Sequence, residues 1–300
     1  MESSVTENSP RVSIILAFFN AGSSLGPAIR SILNQSYPYW ELILLDDGST
    51  DNSLEIARHF KDKRIRVFAD GKNLKLARRL NQGVDMSRGE YIARMDADDI
   101  SYPTRIETQL KYLREHPHID LVASRIVIFD TDGQVVGTYT FRETHPDICR
   151  RPWAGFYFPH PTWMGKSSWF RANPYNVHTF KAQDQELLLR TYDKSRFACV
   201  PEILLGYQKS RLSLRNIMIG RYLYSRMLFD KAMRQNRFYF ALGIFEQTLK
   251  FMIEVCAIVS GLNYKVLRHR ALPVSSAEIR AWEGVWNACR GSIVDTDHRG

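Results

Sequence analysis

Residues Val12–Phe18 read VSIILAF, a run of aliphatic and aromatic residues broken only by Ser13 and closed by the polar turn 20–24. A run of this length that does not alternate with polar residues predicts a strand buried on both faces of a parallel sheet. Working outward, residues 20–24 turn the chain, Pro27 suits the first turn of a helix, and the apolar pattern of 28–33 continues until Pro38 stops it. The unit then repeats. A strand over 41–45 leads through the turn 46–49 to a helix over 53–60, capped by Thr50 or Asp51. A short strand at 64–68, a helix at 75–86 and a strand at 90–95 follow. The alternation predicts right-handed crossovers and an α/β, doubly wound, mostly parallel sheet flanked by helices. Ligands of such sheets sit at the carboxyl ends of the strands.

A helix over 103–116 ends before Pro117, and strands over 120–130 and 134–140, joined by Thr131-Asp132-Gly133, read as a hairpin. Residues 142–171, rich in proline and aromatics, read as an irregular, site-forming insertion. The whole chain has 300 residues, 44% hydrophobic and 24% charged, with 41 Lys and Arg against 32 Asp and Glu for a net charge of +9. That composition excludes low-complexity disorder, collagen and coiled coil, and the length suits a catalytic domain with a smaller appendage. Cys149, Cys199, Cys256 and Cys289 lie far apart, so neither a zinc site nor a disulfide framework is expected, and a reducing compartment fits. The polar N-terminus carries Glu2 and Glu7 and no basic or apolar leader pattern, which points to the cytosol.

Three acidic clusters fall at strand ends or in a loop: Asp46-Asp47-Gly48-Ser49, Asp96-Ala97-Asp98-Asp99 and Gln183-Asp184. Extended backbone after the strand at 90–95 would turn the Asp96 and Asp98 carboxylates to one side. Two hard oxygen ligands with no His or Cys nearby suit Mg²⁺ or Mn²⁺ carried on a diphosphate. Taken singly, the same aspartates also suit turns and a helix N-cap. Gly165-Lys166-Ser167 ends like a phosphate-binding loop, but His160 stands where that loop needs glycine, and no G-x-G-x-x-G occurs, so kinase, ATPase and nicotinamide-enzyme readings drop out.

Four segments, VSIILAFFN at 12–20, LLDDGSTD at 44–51, GEYIARMDADD at 89–99 and HPTWM at 160–164, occur in order and at the right spacings. Together they closely resemble the family 2 glycosyltransferases of the GT-A (Rossmann-like) fold, over roughly residues 11 to 213. The resemblance implies a nucleotide-sugar site. The segment matching Ala17, Phe19 and Asn20, together with Asp46 and Asp47, would hold the nucleotide, with the Asp47 carboxylate accepting a base N–H. Asp96 and Asp98 would bind ribose or diphosphate and the divalent cation, with Asp99 as an alternate metal ligand. Asp184 matches the catalytic base, and Gln183 stands where Glu is common. His160, Trp163 and Gln183 would line the sugar or acceptor pocket. Trp153, Phe156, Tyr157 and Trp169 could stack on a sugar or form the insertion's own core. Many relatives complete the metal site with a histidine where this chain has Ser210, and Lys209 or Arg211 could face the diphosphate instead.

After Pro201 the composition shifts: residues 207–240 alone carry a net charge of +7. Residues 238–260 are apolar enough to suggest a membrane span, yet Glu246, Lys250 and Glu254 recur at i, i+4 and i+8 along one helix face. The pattern predicts an amphipathic helix that docks on the catalytic domain or lies in a membrane interface. Lys265, Arg268, His269 and Arg270 would add to the attraction for an anionic membrane surface, and no nucleic-acid motif accompanies the charge. The expected organisation is a disordered 1–10, a catalytic domain at 11–213, a basic amphipathic helical extension at 214–290 and a disordered tail at 291–300.

The reading is an inverting, metal-dependent glycosyltransferase at the inner face of a bacterial membrane. It would move a sugar from a nucleotide-diphospho-sugar, UDP-sugars first, to a hydroxyl of a saccharide or lipid-linked acceptor for surface polysaccharide. A non-catalytic, glycosyltransferase-like subunit of a polysaccharide assembly complex is the rival, and a sugar nucleotidyltransferase the third reading. A second copy of the chain is a partner the sequence leaves open.

Overall fold

In the computed structural model, which describes residues 11–179, 181–208, 214–234, 237–260 and 272–290, strand β1 spans Val12–Phe18 as its apolar run predicts. Helix α1 (Leu25–Leu33) returns the chain to β2 (Trp40–Asp46), α2 (Ser53–His59) to β3 (Ile65–Ala69), and α3 (Leu76–Met86) to β4 (Tyr91–Asp96). These four strands form the parallel half of the sheet, in the order β3-β2-β1-β4. β1 lies between β2 and β4, with Ala17 opposite Leu45 on one side and Asp96 on the other.

Alternation along β1 assigns its side chains to two layers. Ile14, Leu16 and Phe18 pack with Leu25, Ala28, Ile29 and Ile32 of α1, while Ile15 packs with Ala77, Leu80 and Val84 of α3. Helix α3 approaches the sheet at Gly83, where a Cβ would fall 2.5 Å from Ile15 Cγ2, so any larger residue there would push the helix off. Burying an aliphatic side chain of this size stabilises by about 1.5–3 kcal/mol, and most of these residues are fully buried. Helix α2 starts at Ser53 as expected, but its N-cap position is Asn52 and not Thr50 or Asp51; Asp51 Oδ1 instead accepts from Ser53 N at 3.0 Å.

Beyond β4 short antiparallel pairings join the sheet, while most of its paired residues stay in parallel register, as the sequence predicts. The chain continues through β5 (Ile100–Ser101), α4 (Arg105–Glu115), β6 (Leu121–Phe129) and β7 (Val135–Gly137). The insertion then contributes α5 (His145–Ile148), a 3-10 turn (His160–Thr162), β8 (Met164–Lys166) and α6 (Ser167–Ala172), before α7 (Gln183–Thr191) and β9 (Phe197–Gln208). The full order is β3-β2-β1-β4-β8-β6-β9-β5, with β7 on β6. The expected hairpin exists as the antiparallel pair β6 and β7, but β6 is also held between β8 and β9. Strand β8, three residues of a segment read as irregular, joins β4 to β6 antiparallel to both.

Helices α8 (Leu214–Arg234) and α9 (Tyr239–Val259) pack on each other and on the insertion, and α10 (Ser276–Cys289) returns to the sheet. Its Ser275–Glu278 capping box fixes the start of α10. Its Trp282 lies over Gly206 of β9, 4.6 Å from the Phe129 ring centroid, and donates to Gly133 O at 2.8 Å. The two ends expected to be disordered, 1–10 and 291–300, lie outside the described residues, as do Lys209, Ser210, Arg211, Lys265, Arg268, His269 and Arg270. Among the described residues no helix is long and apolar enough to cross a membrane.

Candidate active site

The carboxyl ends of β1, β2 and β4 set out the first part of the site. Asp46 ends β2 and Asp96 ends β4, one strand to each side of Ala17, so their Cα atoms stand about 10 Å apart across β1. Asp46 Oδ1 accepts from Ser49 N at 3.0 Å, which closes the turn after β2. Asn20, at φ +50°, reaches across to the same turn: its Oδ1 accepts from Thr50 N at 2.8 Å and its N donates to Ser49 Oγ at 3.1 Å. Phe19 beside it is half exposed.

Asp47 is nearly buried, and Oδ1 is already occupied, accepting from Leu74 N at 2.6 Å, Lys75 N at 3.2 Å and Arg79 Nε at 3.0 Å. Oδ2 accepts only from Lys75 N at 3.1 Å and keeps capacity for one further donor. Arg79, whose side chain is 1% exposed, also binds Asp70 at 2.6 Å, and that bond draws the Asp70 carboxyl down to about 2.

Asp96, Asp98 and Asp99 each offer a carboxylate oxygen, and these atoms lie within 4.8 Å of one another. The grouping comes from a turn and not from strand alternation: β4 stops at Asp96, and Ala97 and Asp98 fold back. Asp99 is fully buried; Oδ1 accepts from Gln208 N at 3.0 Å, and Oδ2 has no partner among the described residues. Crowding and burial raise the proton affinity of two of the three. Loss of solvation, then the Asp96 charge, push the Asp98 carboxyl up to about 6, although the residue as a whole keeps solvent contact. Burial, then Asp96 and Asp98, hold Asp99 well above the ordinary aspartate range.

One cation stands behind all of them. Arg94, on β4 and 3% exposed, forms an ion pair with Asp96 Oδ1, while its Nε and Nη1 have no partner among the described residues. Burial works against its charge, but Asp96, Tyr175 and Asp99 keep it protonated. Its field also reaches Asp98, Asp184 and His160.

The second part of the site comes from α7 and the insertion. Asp184 lies in the first turn of α7, where burial raises its carboxyl above the ordinary range. Gln185 Oε1 accepts from Phe156 N at 2.9 Å, and its Nε2 donates to Asp184 Oδ2 at 3.4 Å, so the insertion sets the orientation of that carboxylate. Gln183 precedes Asp184, half-buried. His160 Nε2 and the Tyr175 hydroxyl are hydrogen-bonded at 2.8 Å, and burial, aided by Arg94, pulls the imidazole well below its usual value, so it is neutral at pH 7.

Tyr175 feels both Asp184 and Asp96. The late acidic motif and the cluster after β4 therefore lie within electrostatic reach of the same two groups, Tyr175 and Arg94. Trp163 offers no surface to this region. The ring is fully buried, donates to Phe158 O at 3.2 Å and packs on His160 from behind at 4.5 Å between centroids, which leaves no face for a sugar. Phe156 and Trp169 are likewise core residues, Tyr157 is exposed, and Trp153 is half-buried against Gly243 of α9.

Four residues escaped the sequence reading: Arg79, Arg94, Tyr175 and Gln185. Arg94 had a visible signal, a charged residue inside an otherwise apolar strand and two positions before Asp96. Tyr175 and Gln185 had none, since only the folded insertion brings them to Asp184.

An acidic crevice at the carboxyl ends of parallel strands, with a further carboxylate facing it from a helix, is the architecture of a GT-A type nucleotide-sugar enzyme. The family model described as Glycosyl transferase family 2 matches residues 13–190, and the chain belongs to that family. It is similar to EpsE of Bacillus subtilis (strain 168), provisionally named a glycosyltransferase, with 36% identity over 192 residues covering 62% of this chain and 68% of that protein. Among solved structures, S. aureus TarS with UDP-GlcNAc superposes at a TM-score of 0.57 and 17% identity, over 93% of this chain and 91% of that one. The mannosyltransferase PcManGT of Pyrobaculum calidifontis, solved with GDP-Man and Mn²⁺, superposes at 0.59 and 15% identity, over 94% and 85%. At these identities the superpositions establish the GT-A fold. The family and its glycosyltransferase relatives make the chain a glycosyltransferase enzyme.

Proposed function

We propose that the chain is an inverting, divalent-metal-dependent transferase that moves a sugar from a nucleotide-diphospho-sugar, a UDP-sugar first, to a hydroxyl of a saccharide or lipid-linked acceptor. The product would be a bacterial surface polysaccharide, made at the inner face of the membrane. The observation that carries this reading is the gathering of the Asp96, Asp98 and Asp99 carboxylates within 4.8 Å of one another at the carboxyl end of β4. UDP-GlcNAc on TarS and GDP-Man with Mn²⁺ on PcManGT support the donor class.

The residues fit a divalent cation. The donor set is all carboxylate oxygen, and Asp99 Oδ2 is a buried acceptor without a donor among the described residues. Asp98 and Asp96 would hold the ion, with Asp99 as the alternate ligand. Bound there, Mn²⁺ or Mg²⁺ would offset negative charge on the departing diphosphate. Asn20, the backbone of Ala17 and Phe19, and Asp46 shape the nucleotide's place, and Asp47 Oδ2 accepts from the base. Asp184 takes the proton of the acceptor hydroxyl as its oxygen bonds to the anomeric carbon and the bond to the diphosphate breaks. A carboxylate whose proton affinity is raised by burial is a stronger base at neutral pH than an ordinary aspartate. A single displacement inverts the centre. His160 and Gln183 border the sugar or acceptor space.

The test separates the roles. Asp184→Asn should lose transfer from UDP-sugars while keeping Mn²⁺-dependent UDP binding by titration calorimetry. Transfer by that variant at the wild-type rate refutes the base assignment. Intact binding with no turnover by the wild-type chain, across donors and acceptors, would instead favour the non-catalytic subunit.

A further inference from the structure

Helix α9 is inside out. Its charged residues and Gln247 turn toward the protein: Glu254 is buried and pairs with Arg221 of α8 at 2.7 Å, and Gln247 is buried, accepting from Arg221 Nη1 at 2.5 Å and donating to Trp153 O at 2.9 Å. Glu246 pairs with Arg151 and Lys250 at 2.8 Å each, and Lys250 donates to Ala154 O at 3.2 Å. The stripe that the sequence aligned is thus the docking face. The opposite face presents Leu242, Phe245, Leu249, Met252 and Ile253, between 46% and 73% exposed and spaced at i, i+3, i+7, i+10 and i+11, with no charge among them. Exposed apolar stripes of this kind mark a contact with another phase or molecule.

We propose that this face of α9, with the exposed apolar residues of α8, docks on an anionic lipid surface and lies in its plane. Charge selects the occupant. On α8, Tyr222, Phe229 and Met233 are exposed beside Arg215, Arg226 and Arg234, which pair with no carboxylate among the described residues; Asp230 is the one exposed acid of that helix. The sequence just past α9 adds Lys265, Arg268 and Arg270. A second copy of the chain meeting this face would bring these cations together, whereas anionic headgroups neutralise them. No described helix can span a bilayer, so the helix rests at the interface with its apolar side inserted. Helix α8 packs on α7, and a cleft of about 420 Å³ is lined by Arg190, Arg226, Lys231 and Arg234 with Glu186 and Asp230. The inference rests on the membrane part of the function proposed above and not on its chemistry.

The experiment is flotation of the full chain with phosphatidylcholine vesicles, with and without phosphatidylglycerol, in the absence of donor and acceptor. Wild type should float with the anionic vesicles and release as salt rises. Leu242→Glu/Phe245→Glu, at exposed positions, should lower the partition coefficient by about tenfold or more, and Arg226→Glu/Arg234→Glu should remove the preference for anionic lipid. Thermal melting and Mn²⁺-dependent UDP binding check that the variants fold, and UDP binding also reports on the transferase reading independently of lipid. Absence of flotation by wild type, or unchanged flotation of Leu242→Glu/Phe245→Glu, overturns the proposal. Concentration-dependent dimerisation that the same variant abolishes, without vesicle binding, would overturn it in favour of a second copy.

Discussion

Replacing Asp98 with asparagine should stabilise the fold without metal while removing its response to metal. The Asp98 carboxyl titrates at about 6 in the fold against 3.8 for an ordinary aspartate, first because of lost solvation and then because of Asp96. The folded form thus binds this proton more tightly than the unfolded chain. Its stability falls as pH rises from about 4 to about 6, and the whole penalty is present above that window. Taken at face value the difference is worth about 3 kcal/mol. Asp98 keeps solvent contact, so screening reduces it to about 1 kcal/mol. Asp98→Asn removes the charge, and its melting temperature at pH 7.5 should exceed that of wild type by about 2–4 °C, with the gap closing below pH 4. Adding Mn²⁺ and UDP should reverse the order, because ligand stabilises the wild-type fold by mass action and the variant has lost a ligand oxygen. Differential scanning fluorimetry with and without Mn²⁺ and UDP measures both halves. An asparagine variant that melts below wild type without metal, or that gains as much as wild type from Mn²⁺ and UDP, refutes the account of Asp98 as a destabilised carboxylate kept for its ligand oxygen.

Arg94→Met should destabilise by about 3–5 kcal/mol, since it leaves carboxylates crowded around a vanished cation. Adding Asp96→Asn should recover more than about 1 kcal/mol of that loss in urea titrations, and strict additivity would disprove the coupling. Trp282→Ala should cost about 3–5 kcal/mol, because it empties a fully buried site under Gly206 and Phe129 and breaks the bond to Gly133 O. A loss below about 1 kcal/mol in chemical denaturation would mean that α10 is not part of the core.

The parallel half of the sheet was legible because its signal is local. Val12–Phe18 is apolar throughout, the turns after β1 and β2 announce themselves, and each helix between them keeps a regular apolar face. The mixed half was not, because a three-residue strand such as β8 carries too little sequence to declare itself and is defined by β4 and β6 on either side. The same distinction divides the site. Asp47, Asp96, Asp98 and Asp184 were visible as motif residues, while the turn that gathers Asp96 and Asp98 replaces the strand alternation invoked for them. Trp163 illustrates the opposite failure: an aromatic in a site-forming segment is ambiguous until its packing on Phe158 and His160 is seen.

Charge was misplaced by the sequence in one consistent way. Arg and Glu are normally solvated, so a reader assigns them to the surface and assigns Leu and Phe to the interior. Arg94 breaks the rule in β4 and Arg221 with Glu254 breaks it between α8 and α9, and each has a physical cause. In β4, the buried guanidinium is the counter-charge that lets several carboxylates stand within reach of one another, an arrangement that only a ligand bringing further positive charge would complete. In the α8–α9 pair, the ion pair of buried Glu254 with Arg221 takes up charge on the docking side and leaves the exposed side without any. Neither arrangement stabilises the isolated chain as well as a hydrophobic replacement would. The donor proposed above would complete the first, and the lipid surface proposed for α9 would cover the face left by the second.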